Sequence, residues 1–114
     1  MKRLKKEERT RDRYLEAAVL GKLIDRLIID YYILVSDLLS SQNRTNKVMV
    51  IERNFDRVQS ELEREILKDH PDIMQYTDIP YPSLICYGPI AKGEEQERIK
   101  RILNELVFSR TSPL

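Results

Sequence analysis

The sequence predicts an all-α fold: a three-helix bundle with a long central N-terminal helix and an extended Pro- and Tyr-containing segment between helices 2 and 3. Three observations predict it. Of the 114 residues, 41% are hydrophobic and 34% charged, with only three Gly, the balance of a helix-rich protein rather than a disordered one. Apolar residues recur at helical spacing in three separate stretches. The helix breakers gather between them, with Pro71, Pro80, Pro82, Gly88, Pro89 and Gly93 in one stretch. A chain of this length is read as a single domain with one core. Residues 1–13 form a basic arm, 14–109 the helical domain and 110–114 a tail.

The first helix, Leu15 to Leu39, is apolar around most of its circumference near its middle, so its neighbours have to cover it. Leu20, Ile24, Leu27, Tyr31, Leu34 and Leu38 step by 4,3,4,3,4, which is heptad spacing. Leu15, Val19, Ile28, Tyr32, Val35 and Leu39 are read as a second stripe about 100° away. A narrow polar strip remains: Lys22, Asp25, Arg26, Asp30, Ser36 and Asp37. Two stripes require two sets of neighbours, so this helix is the centre of a bundle, the seam of a dimer, or both. Its roughly 25 residues span nearly 40 Å, against a diameter of about 35 Å for a compact domain of this length. The basic turns before it should therefore project, or the helix should bend at Gly21.

The arm carries Lys2, Arg3, Lys5, Lys6, Arg9, Arg11 and Arg13 against Glu7, Glu8 and Asp12, a local balance of +4 in a chain of net charge +1. It is read as a helix extension or a frayed end. "SSQNRTNK", Ser40 to Lys47, is a loop by composition, with Asn43, Thr45 or Asn46 as candidate N-caps. The second helix runs from about Lys47 to Asp69, its buried face formed by Ile51, Phe55, Val58, Leu62 and Ile66, and packs antiparallel on the first. Pro71 ends it by pushing His70 out of the helical region. From Asp72 to Gly93 a short helical turn at Asp72 to Tyr76 precedes a segment too apolar for a free linker, with a short strand at Leu84 to Tyr87. The third helix starts near Glu94, with acidic residues in its first turn and Ile99, Ile102, Leu103 and Leu106 as its buried stripe.

Chemistry is sparse. One histidine and one cysteine exclude an internal disulfide and an internal Cys/His zinc site. Di-iron bundles need a Glu-x-x-His pair on each of two helices, and Leu67 stands three residues before His70. Cys86, in "LICYG", reads as a buried small thiol with no activating signature. No glycine-rich phosphate loop is present. The sequence therefore implies no catalytic residue, no metal and no cofactor. The apolar run Leu27 to Val35 comes too late for a secretory signal and is too short to span a bilayer, and no lipidation signal adjoins the arm. A soluble cytoplasmic protein without membrane association is expected.

What remains is a non-enzymatic interaction protein, an adaptor, assembly factor or regulator that binds a protein partner or pairs as a homodimer. Its size suits the accessory proteins of phages and mobile elements. Candidate partner-binding residues are Tyr31, Tyr32, Leu34, Leu38, Tyr81 and Tyr87, since tyrosine tolerates a half-wet interface. The alternative is a nucleic-acid-binding accessory protein whose arm residues Lys2, Arg3, Lys5, Lys6, Arg9, Arg11 and Arg13 contact phosphates.

Overall fold

The structure, a computed structural model, describes residues 2–105. Leu106 and the tail at 110–114 lie outside the described residues. The fold is all-α, as the composition and periodicity predict. Two long helices, α1 (Arg11–Leu38) and α2 (Gln42–Asp69), form an antiparallel hairpin, and α3 (Glu94–Leu103) packs on α1. Each long helix has 28 residues, about 42 Å at 1.5 Å per residue. The molecule is accordingly elongated, 49 × 34 × 33 Å, with a radius of gyration of 16.2 Å.

Local chemistry sets the helix ends. Thr10 caps α1, its Oγ1 accepting from the Arg13 amide at 3.2 Å. Because the helix begins there, the arm does not continue it. Residues Lys6–Glu8 make one 3-10 turn, and the arm folds back beside α2 instead of projecting. Ser41 caps α2 by accepting from the Arg44 amide, and the Thr45 hydroxyl donates to the Gln42 carbonyl. The expected eight-residue loop thus shrinks to residues 39–41, and Asn43, Thr45 and Asn46 lie inside α2. The stretch is polar, but it contains neither Gly nor Pro to keep it out of the helix.

Between α2 and α3 the chain forms a strap. It takes 3-10 turns at Ile73–Tyr76 and Pro82–Leu84, and no strand occurs among the described residues. The first turn agrees with the sequence reading; the strand at Leu84 to Tyr87 does not form, because no neighbouring strand exists to pair with it. Ile73, Ile79, Ile85 and Cys86 are the strap's buried side chains. They join Tyr14, Leu15 and Ala18 of α1 and Ile66 of α2 in one core. That core fills the end of the hairpin where α1 begins and α2 ends.

Two parts of the sequence reading of α1 need correction. Val19 and Ile28 are nine residues apart, two and a half turns, so they lie on opposite sides of the helix. Leu15 and Val19 face the strap and α3, whereas Ile28 turns toward α2 beside Val48 and Ile51. There is no single second stripe. Lys22 leaves the polar strip altogether: it is buried, with Nζ 2.9 Å from both carboxylate oxygens of Glu95 on α3.

Gly21 is no hinge site by composition alone; it makes room. A β-carbon there would collide with the side-chain amide of Gln59, which is buried between the helices and donates to the Cys86 carbonyl at 3.0 Å. One polar side chain thereby ties α1, α2 and the strap together.

Candidate functional site

The body of strap and α3 covers one side of the hairpin and stops short of its tip. On the other side the heptad stripe of α1 lies open. Leu27, Tyr31, Leu34 and Leu38 of α1, with Ile51 and Val58 of α2, are between 56% and 80% exposed. Ile24, Leu27, Ile28, Tyr31, Val48 and Ile51 line a shallow groove between the two helices, walled by apolar side chains alone.

The reason lies in which column of α2 meets α1. Thr45, Glu52, Gln59 and Ile66 recur every seven residues, and all are buried or half-buried. Ile51 and Val58 sit one position earlier, turned about 100° away. Of the stripe Ile51, Phe55, Val58, Leu62 and Ile66, expected to pack on α1, Ile66 is buried in the core, Phe55 and Leu62 are half-buried at the edge of the contact, and Ile51 and Val58 are exposed. Toward its tip the hairpin holds polar groups inside and apolar groups outside. Contiguous exposed apolar surface marks interaction sites in soluble proteins.

Among the predicted partner-binding residues, Tyr31, Leu34 and Leu38 share this open face. Tyr32 is half-buried on the flank of α1 turned toward α2, with Ile28 one turn before it. Tyr81 is exposed on the strap. Tyr87 is a structural residue instead: its hydroxyl donates to the Asp56 carbonyl at 3.0 Å and meets the Ser60 hydroxyl. Leu27, Ile51 and Val58 belong to the face but were not among the predicted site residues. Leu27 lies in the heptad stripe of α1, and Ile51 and Val58 lie in the apolar stripe of α2 that the sequence reading turns toward α1.

Three of the arm's seven cations are engaged within the chain. Arg3 meets Glu65 at 2.7 Å, Arg9 meets Asp69 at 2.7 Å, and Arg11 reaches Asp72 at 3.6 Å while stacking over the Tyr76 ring. Asp69 also accepts from the Tyr14 hydroxyl at 2.6 Å. The hydrogen bonds from Arg9 and Tyr14 hold its carboxyl well below the usual carboxylate range. His70 donates from Nε2 to the Arg9 carbonyl at 2.7 Å, and its ring stands edge-on to Tyr14 with centroids 5.6 Å apart. Four of the predicted phosphate contacts, Lys2, Lys5, Lys6 and Arg13, make no ion pair among the described residues.

Two other groups have chemical interest. Asp25, Glu52 and Asp56 bring carboxylate oxygens within 4.8 Å of one another on the inner side of the hairpin. Burial, then the two neighbouring carboxylates, push Glu52 up to about 7. Cys86 is buried, and loss of hydration pushes its thiol up to about 12, the opposite of an activated nucleophile.

Among the described residues no helix is long and apolar enough to cross a membrane. No protein-family model matches the chain, and neither does any curated protein or solved structure.

Proposed function

We propose that this chain is a non-enzymatic helical interaction protein, an adaptor, assembly factor or regulator that works inside the cell by binding protein through the open face of its α1–α2 hairpin. The observation that carries this reading is the exposed heptad stripe beside a half-polar hairpin interior. Apolar side chains in that number and register stabilise a structure only when something covers them, at about 25 cal/mol for each Å² removed from water. The non-enzymatic part draws support from the inert Cys86 thiol and from His70, whose Nε2 is held by a backbone carbonyl.

The test compares capture of host proteins by the wild-type chain and by Leu27→Asp/Leu34→Asp, followed by rebinding of each captured protein in purified form. A partner held by the wild type and lost by the variant supports the reading. Partners held equally by both overturn it.

Phosphate contact through the arm is the weaker alternative. Arg3, Arg9 and Arg11 already meet acidic side chains of the chain itself, so binding phosphate there would first break those pairs.

A further inference from the structure

We propose that the occupant of the open face is a second copy of this chain, packed two-fold and antiparallel so that the two hairpins form a four-helix bundle. This rests on the docking reading above and names its partner.

Area is the first ground. Leu27, Tyr31, Leu34, Leu38, Ile51 and Val58 expose on the order of 700 Å² per copy, about 1,400 Å² for a pair, within the ~1,200–2,000 Å² of stable interfaces. A typical monomer shows no apolar patch larger than roughly 300–600 Å².

Register is the second. The α1 stripe steps 4,3,4,3,4 from Leu20 to Leu38, so its spacing reads the same in both directions. An antiparallel copy of α1 centred between Leu27 and Tyr31 sets Leu27 of one copy against Tyr31 of the other. It likewise sets Ile24 against Leu34 and Leu20 against Leu38. Such self-complementarity is the requirement of a two-fold interface, in which one patch contacts itself. Heptad stripes on both helices of a hairpin are the seams by which bundles pack.

The third ground fixes direction. At the body end, Leu4 of the arm stands beside Tyr14, Ala17 and Leu62. Ile102 of α3 stands beside Ala17 and Leu20. Two hairpins pointing the same way would bring these obstructions together. Pointing opposite ways, the two hairpins keep these obstructions apart, at the two ends of the interface.

Sedimentation and light scattering over a range of concentrations test the stoichiometry on the full chain. A reversible dimer is expected. Leu27→Asp/Leu34→Asp should weaken it by at least ~100-fold, because each carboxylate would be buried without a partner. Val50→Asp, on an exposed flank of α2, should leave it intact. Circular dichroism establishes that each variant is folded. Leu27→Ser/Leu34→Ser replaces the aspartates if they unfold the chain. Chains carrying Leu27→Cys alone, mixed with chains carrying Tyr31→Cys alone, should cross-link between copies through a short bis-maleimide, with the buried Cys86 silent. A chain that stays monomeric at all concentrations overturns the proposal, as does a dimer indifferent to the aspartates or one that fails to cross-link. A monomer that still binds another protein through this face overturns only the second copy. A monomer that binds none sinks the docking reading with it.

Discussion

Lys22 and Glu95, 73 residues apart in sequence, meet in a buried ion pair, with Nζ 2.9 Å from each carboxylate oxygen. Only 2% of the Lys22 side chain and 9% of the Glu95 side chain reach solvent. Glu95 Oε1 also accepts from the Ala91 amide at 2.8 Å. This pair fixes α3 on α1 at a chosen register, and it is costly to break because either charge alone would be buried unpaired. Lys22→Met should destabilise the chain by about 3–5 kcal/mol, and Lys22→Met/Glu95→Gln should recover much of the loss. Urea denaturation of the three proteins checks both statements.

Gly21 and Gln59 form a second coupled pair. In Gly21→Ala the new methyl displaces the Gln59 amide from the Cys86 carbonyl and leaves a buried acceptor unpaired. The expected cost is about 1–3 kcal/mol. In a Gln59→Ala background the obstruction is gone, and the same change should stabilise by up to about 1 kcal/mol through helix propensity. A double-mutant cycle in urea reads this reversal of sign; equal effects in both backgrounds would exclude the coupling.

Glu52 predicts a pH dependence. Its native-state value is raised from 4.5 to about 7, so the folded chain retains a proton that the unfolded chain releases. This contribution is fully present below pH 4.5 and is lost as the pH rises toward and through 7. Between pH 5 and 8 the wild type should therefore lose stability relative to Glu52→Gln, whose amide does not titrate. Thermal melts of both proteins across that interval measure the difference, and parallel curves would contradict it.

The arm predicts the opposite slope at low pH. Asp69 is held below its ordinary value chiefly by Arg9, so its contribution is present above about pH 4 and is lost as the pH falls through the folded value. Arg9→Gln should lower the melting temperature by a few degrees at neutral pH and flatten the acid-side decline. Lys5→Gln/Lys6→Gln, which touches no ion pair among the described residues, should leave both unchanged. If all three substitutions behave alike, the arm is not anchored as described.

Much of the architecture was legible along the chain. Heptad and helical spacing announced three helices, Pro71 placed the end of α2, and the acidic turn at Glu94 placed the start of α3. The polar connection misled because composition speaks for solvation, whereas helix continuity at residues 42–46 depends on Ser41 acting as cap. The strap's path was illegible for a different reason. Pro and Gly forbid a long helix there, but they do not say which of Ile73, Ile79, Ile85 and Cys86 turn inward.

By itself the sequence determined the helical class, the apolar stripe on α1 and a complement of one histidine and one cysteine, because spacing and residue type are local properties. Tertiary structure decided which stripe is covered. Whether Lys22 is a surface charge or half of a buried pair depends on where Glu95 arrives, 73 residues later. Whether Ile51 or Glu52 faces α1 depends on a rotation of α2 by one residue, about 100°. That rotation placed the polar column inside and left Leu27, Tyr31, Ile51 and Val58 on the open face, since no local preference sets how one helix is turned against another.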